Sequence, residues 1–227
     1  MREYSVFDIL GPIMIGPSSS HTAGAARLAK IAEIIAEDNI SKVQFLLHGS
    51  FAKTYKGHGT DKALVAGILG MSPWDENLKN SMEIAEERGI SVEFIEMDLG
   101  DVHPNTVKFI ITKKNGEVSQ IMGSSIGGGN VVINEVDKDK IEFTGVYPTI
   151  LINHLDMPGM VARVSEVLYE HEINIAFMKV YRKSIKGSRA VMVFEVDDFI
   201  IKDVVDEIEN IPNIYKVRAI NPVNEEE

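Results

Sequence analysis

Thr149-Ile150-Leu151-Ile152-Asn153-His154 reads as a short apolar strand, and Met157-Pro158-Gly159 just after it is a chain breaker. Met160, Val161, Val164, Val167 and Leu168 then recur at helical spacing and predict a helix of about three turns. Ile173 to Tyr181 reads as a second strand and Lys186-Gly187-Ser188 as a turn. Ala190 to Val196 reads as a third strand, whose alternation predicts half burial. Asp198 stands where it can cap a second helix striped by Ile201, Val204, Val205, Ile208 and Ile211. Tyr215, Val217 and Ala219 alternate in a last strand. The order βαββαβ specifies a ferredoxin-like sandwich, one antiparallel sheet with two helices on a single face.

Upstream of this unit the pattern changes to a mixed α+β domain. Ala25 to Glu37 predicts a strong helix with Leu28, Ile31, Ile34 and Ile35 on its buried side. Val43 to Leu47 predicts a buried strand, and Lys62 to Leu69 a helix of small residues. Met82 to Arg88 predicts a further helix stopped by Gly89. Val92 to Met97, Val107 to Thr112, Val118 to Met122 and Val131 to Val136 read as strands, with Lys113-Lys114-Asn115-Gly116 as a hairpin turn. No repeat or low-complexity linker separates the halves. The expected division is therefore residues 1–146, residues 147–222 and a solvated acidic tail, 223–227, with the join near Gly145-Val146-Tyr147-Pro148.

Composition bounds the chemistry. A hydrophobic fraction of 44% with 25% charged residues is that of a globular chain able to build a core. A net charge of −11 argues against a nucleic-acid partner, which needs clustered Lys and Arg. The chain contains no cysteine, so it can form neither a disulfide nor a thiolate metal site, and no metal ligand set is expected in it. No apolar run approaches the ~20 residues that span a bilayer, and the first residues lack a signal-peptide core, so the cytoplasm is the expected location.

Gly16-Pro17-Ser18-Ser19-Ser20-His21-Thr22 runs straight into the first long helix. A helix N-terminus offers unpaired N–H groups and partial positive charge to an anion. One serine suffices as a cap, but here three serines, a threonine and a histidine crowd the same turn, and no capping-box Glu or Gln follows. This surplus points to ligand binding by Ser18, Ser19, Ser20 and Thr22. Gly57-His58-Gly59-Thr60-Asp61 sets a histidine between two glycines ahead of another helix, which suits either an exposed turn or a close ligand approach. His103-Pro104-Asn105 precedes a strand, and Gly127-Gly128-Gly129-Asn130 joins two strands as a tight passage or binding loop. No Gly-Lys-Ser/Thr and no helix follow those glycines, so neither a phosphate loop nor a dinucleotide fingerprint is present.

Together these segments resemble the iron–sulfur-dependent L-serine dehydratase family. Ser5-Val6-Phe7-Asp8 with Gly16-Pro17-Ser18-Ser19-Ser20-His21-Thr22 is similar to its N-terminal signature, and Lys56-Gly57-His58-Gly59-Thr60-Asp61 to its Gly-Lys-Gly-His-x-Thr-Asp motif, with Tyr55 where the first Gly often stands. Ser125-Ile126-Gly127-Gly128-Gly129 matches its glycine loop, and His103-Pro104-Asn105-Thr106 keeps the His and Asn of its His-Glu-Asn-Gly. The second unit resembles an ACT domain, an amino-acid sensor. It has Asp156-Met157-Pro158-Gly159 after the first strand and Asn174-Ile175 opening the second. In serine-sensing ACT domains the ligand sits between paired modules, held by a His and an Asn of the first loop and an Asn at the second strand. His154 and Asn174 fit that pattern, Asp156 occupies the place of the loop Asn, and Gly159 of the same loop is expected to join them at the effector.

The resemblance implies a beta subunit that works with a separate, cysteine-bearing alpha subunit holding a [4Fe–4S] cluster. That cluster would polarise the hydroxyl of L-serine as leaving group while a base removes the α-proton. Aminoacrylate would form and hydrolyse to pyruvate and ammonia. His21, His58 and His103 are the candidate acid–base residues, and which does what is not readable; Asn105, Gly127, Gly128 and Gly129 would join the serines in binding substrate. Pairing of ACT modules into a homodimer, alone or with the alpha chain, is also expected. Two other readings stay open. One is an amino-acid-binding regulator without catalysis, since related folds serve as allosteric modules in other serine-pathway enzymes. The other is a phosphate-ester enzyme, which would need a metal–carboxylate cluster.

Overall fold

The computed structural model describes residues 13–37, 39–182 and 188–222. Ser5 to Asp8, Lys186 and Gly187 of the expected turn, and the tail 223–227 lie outside these residues. The chain divides into two compact units between Lys138 and Asp139.

In the first unit a wide, π-helical turn, Ser19–Ala23, leads into α1, Gly24–Ala36. Then follow β1 (Ile40–Leu47), α2 (Gly49–Thr54), α3 (Thr60–Ile68), a 3-10 turn Glu76–Asn80, and α4 (Ser81–Glu87). Strands β2 (Ser91–Glu96), β3 (Thr106–Lys113), β4 (Val118–Gly127) and β5 (Asn130–Val136) complete it. The strands run in the order β2-β1-β3-β4-β5 within this unit, parallel only between β1 and β2. Helix α1 is rich in Ala, Leu and Ile, and buries Leu28, Ala29, Ile31, Ala32 and Ile35. Its contacts explain the small residues. A Cβ on Gly123 of β4 would sit 2.7 Å from Leu28 Cδ2, and one on Gly67 of α3 would run into the Ala26 carbonyl and lie 2.5 Å from Ala29 Cβ. Helix α1 therefore lies tightly between the sheet and α3. Phe45 and Phe109 cross edge to face at 5.7 Å, Phe94 stacks on Phe45 at 4.9 Å, and Tyr55 stacks on Phe94 at 5.5 Å. Helix α2 was not expected from the sequence. It has six residues, too few to show a helical apolar period.

The second unit comprises β6 (Asp139–Phe143), β7 (Thr149–Leu155), α5 (Met160–Glu170), β8 (Ile175–Arg182), β9 (Arg189–Val196), α6 (Lys202–Glu209) and β10 (Ile214–Ile220). Its four-stranded antiparallel sheet has the order β10-β7-β9-β8. Ile150, Ile152, Met192, Phe194 and Val217 meet Met160, Val164, Leu168, Val204 and Ile208 in one core. This is the ferredoxin-like βαββαβ arrangement. Two local expectations give way. Strand β9 is buried on both faces, not one, because it is central and β6 packs against it. Asp198 does not cap α6: Ile201 holds the N-cap position with no side-chain hydrogen bond. Asn221 instead accepts the Ile200 N–H at 2.8 Å and donates to the Ile200 carbonyl at 3.0 Å, which turns Ile200 into the core and leaves Ile201 exposed. Among the described residues no helix is long and apolar enough to cross a membrane.

The close crossing at Gly67 gives a direct stability test. Gly67→Ala should lower the unfolding free energy by about 1–3 kcal/mol through overpacking, although alanine is the better helix former. Guanidinium unfolding followed by the fluorescence of Trp74, the only tryptophan, measures it. A midpoint at or above wild type would contradict this packing.

Candidate functional site

The π-turn shapes the site. Ser18 is extended, and its Oγ accepts the His21 N–H at 3.2 Å, so this one serine does the capping. Gly24 closes the wide turn by donating its N–H to the Ser19 carbonyl. Thr22 is turned inward, buried against Gly16, and its hydroxyl has no hydrogen-bond partner among the described residues. Ser20 and His21 face the other way. His21 Nδ1 lies 3.0 Å from Ser20 Oγ and 3.5 Å from Ser18 Oγ, and the two hydroxyls are 3.3 Å apart.

Two further segments complete this cluster. The first turn of α2 places Ser50 Oγ 3.1 Å from His21 Nε2 and the Phe51 ring T-shaped against the imidazole, with ring centroids 5.2 Å apart. The turn after α2 carries exposed His58, whose ring centroid is 5.0 Å from that of His21. Gly59, at φ 67°, is the left-handed residue that lets the chain leave His58 and start α3. Burial pushes the His21 pKa below the ordinary imidazole value, and the electrostatic influence of the neighbouring His58 lowers it further. His21 is therefore a neutral imidazole at pH 7, with one nitrogen donating and one accepting.

The other expected residues are placed differently. His103 is exposed, and its Nδ1 accepts the Asn105 N–H at 3.1 Å, so its ring is turned to its own loop and not joined to the His21–His58 pair by any contact described. That loop reaches the site through its backbone: the Pro104 carbonyl accepts the Ser50 N–H at 2.8 Å. Asn105 is tied to β4, with its carbonyl accepting the Ser125 N–H at 3.0 Å. Gly127, Gly128 and Gly129 all have positive φ, and Arg27 of α1 donates to the Gly129 carbonyl at 2.9 Å. The glycine loop is thereby fastened to α1, while Ser125 packs against Gly24 where that helix begins. Ser50 and Phe51 escaped sequence reasoning. The only signal was Gly49-Ser50 at the end of a strand, where a sharp turn can present a hydroxyl.

In the second unit His154 is buried, with Nδ1 2.8 Å from the Leu155 carbonyl and Nε2 unpartnered among the described residues. The buried Asp156 carboxylate pairs with Arg182 Nε at 3.0 Å. Gly159, at φ 89°, is the N-cap of α5. Asn174 donates to Asp197 Oδ2 at 2.6 Å. His154 lies opposite Ala190, and Ile175, next to Asn174, lies opposite Val196. Six residues of strand, about 20 Å, therefore separate Asn174 from His154 within one copy.

Chemically, the first cluster is two imidazoles ringed by hydroxyls at a helix N-terminus, suited to binding a carboxylate and moving a proton. With no cysteine in the chain, its donors do not fit an iron–sulfur cluster. Among the described residues no three His, Asp or Glu converge as a metal site.

Comparison with known proteins separates the two units in the same way. Residues 5–136 match the family model described as "Serine dehydratase beta chain", and residues 149–213 match "ACT domain". The chain is 44% identical over 220 residues to the "Probable L-serine dehydratase, beta chain" of Bacillus subtilis (strain 168), covering 97% of this chain and 99% of that one. It is 49% identical over 176 residues to the "L-serine dehydratase, beta chain" of Peptoniphilus asaccharolyticus, covering 77% and 79%. It is also 31% identical over 201 residues to the "D-3-phosphoglycerate dehydrogenase" of Methanocaldococcus jannaschii, covering 87% of this chain but 37% of that enzyme. The chain thus belongs to the serine dehydratase beta chain family and carries an ACT domain after its beta-chain domain.

Proposed function

We propose that this chain is the beta subunit of an L-serine dehydratase, an L-serine ammonia-lyase located in the cytoplasm that is completed by a cysteine-bearing alpha subunit holding a [4Fe–4S] cluster. The observation that carries this reading is the His21–His58 pair with its hydroxyls, standing within the beta-chain domain. L-Serine brings a carboxylate, an α-proton and a β-hydroxyl. Loss of the α-proton and of the hydroxyl as water gives aminoacrylate, which hydrolyses to pyruvate and ammonia. The hydroxyls of Ser18 and Ser20, with the N-terminus of α1 behind them, suit the carboxylate. Both ring nitrogens of His21 already face hydroxyls, whereas the His58 ring has no hydrogen bond to another described residue. His58 is therefore the imidazole free to take the α-proton.

For the ACT domain we infer pairing of two copies along the β8 edge. Phe177, Met178 and Val180 are exposed on that strand, and an open sheet edge favours strand addition. Antiparallel pairing brings Asn174 of one copy to the His154–Asp156 end of the other, which no single copy achieves. An amino-acid effector would then be held between copies.

A sensor without catalysis is the second reading, supported by the likeness of this chain to 37% of a D-3-phosphoglycerate dehydrogenase, an enzyme of a different activity. Kinetics separates the two. In the anaerobically reconstituted complex, His58→Ala should lower kcat for pyruvate formation by about 10²–10⁴-fold at matched cluster content. Saturated turnover left intact, with only the concentration dependence altered, would instead support the sensor. The purified beta chain alone should be colourless and release no pyruvate from L-serine. An iron–sulfur absorption band in it would contradict the division of labour. Proton NMR of the isolated chain should show His21 titrating below the usual value near 6.5. Removing the His58 imidazole with His58→Gln should move that titration upward, and no movement would refute the coupling. Because folding depresses this pKa, the associated stability is complete above pH 6.5 and is lost as pH falls through the lowered value.

A further inference from the structure

We propose that Ser50 is the positioning residue for His21, its hydroxyl holding Nε2 and with it the rotation of the ring. The inference rests on the reading above that His21 belongs to the serine site. A neutral imidazole has one donor and one acceptor nitrogen, and a hydroxyl can serve either, so a hydroxyl at each nitrogen holds the ring in place in one tautomer at a time. Nδ1 faces Ser20 Oγ at 3.0 Å, with Ser18 Oγ close by, while Ser50 Oγ is the hydroxyl facing Nε2, at 3.1 Å. A half-turn of the ring would exchange both nitrogens for carbons and break both contacts. Phe51, the next residue of the same turn, packs its ring nearly perpendicular to the imidazole and resists tilting. One turn of α2 thus sets both the rotation and the tilt of His21.

That turn is itself held by backbone contacts. Ser50 donates its N–H to the Pro104 carbonyl at 2.8 Å, and His48 donates to the Thr106 carbonyl at 3.0 Å. Thr54 Oγ1 donates to the Ser50 carbonyl at 2.8 Å. Gly49 has φ 57°, and a Cβ on it would sit 2.6 Å from the Pro104 carbonyl oxygen, so no larger residue fits between α2 and the His103–Asn105 loop. The Ser50 hydroxyl makes no hydrogen bond other than that to His21 among the described residues. A rigidly mounted hydroxyl with one partner, an imidazole, is the arrangement that fixes a catalytic ring. It also gives the His103 segment a role at the site that passes through the Pro104 carbonyl and not through the His103 ring.

The test uses the full chain and then the reconstituted complex. Long-range nitrogen–proton spectra of the His21 ring in wild type should show one protonated and one bare nitrogen. Ser50→Ala should give averaged nitrogen signals, and Ser50→Thr, which keeps a hydroxyl, should restore the wild-type pattern. Alanine suits a helix, and thermal melting checks that each variant is folded. In the complex, Ser50→Ala should raise KM for L-serine by about 2- to 10-fold, the effect of losing the one neutral hydrogen bond that holds His21. Its effect on kcat should be smaller, with Ser50→Thr close to wild type. Ring spectra of Ser50→Ala identical to wild type would overturn the proposal, as would an unchanged kcat/KM alongside an active-site defect in His21→Ala. If His21→Ala itself leaves kcat/KM unchanged, the assignment of His21 to the substrate site has failed. The ring spectra still decide whether Ser50 positions it.

Discussion

Helix α1 is packed against β4 and α3 with no room for a side chain at the points of closest approach. A Cβ on Gly24 would run into Ser125 Oγ, one on Gly67 into the Ala26 carbonyl, and one on Gly123 into Leu28. Protein interiors are dense, so such contacts fix an element's position to within a few tenths of an ångström. The wide turn Ser19–Ala23 is the N-terminal continuation of this wedged helix, and its geometry decides that Ser20 and His21 face the site while Thr22 faces the core. The hydroxyl–imidazole cluster is therefore a consequence of how α1 is seated.

The sequence carried the architecture where periodicity was long enough to read. The βαββαβ order followed from the helix after Met157-Pro158-Gly159 and from the strands either side of it. It failed where an element was short or where a distant residue intervened. Helix α2 is six residues, and the start of α6 is set by Asn221, which lies beyond the next strand. The double burial of β9 depends on β6, which no periodicity announced.

The site was legible residue by residue but not as an arrangement. Ser18, Ser20, His21 and His58 were readable from motif composition, and the fold brings them together. Ser50, 29 positions from His21, has no local signal that ties it to the motif. The sequence presents His103 as a candidate side chain, whereas its loop touches the cluster through the Pro104 carbonyl, a backbone contact that residue identity does not encode. In the ACT domain the same limit shows as distance. His154 and Asn174 both match the sensor pattern, yet the sheet register holds them at opposite ends within one copy, which a motif read along the chain does not reveal.

The central claim is that an imidazole of this chain takes the α-proton of L-serine. Release of deuterium from [2-²H]serine by the reconstituted complex measures that step directly, with cluster content matched between wild type and His58→Ala. The account predicts that release falls with the substitution in parallel with pyruvate formation. Deuterium release at the wild-type rate from the His58→Ala complex would contradict it.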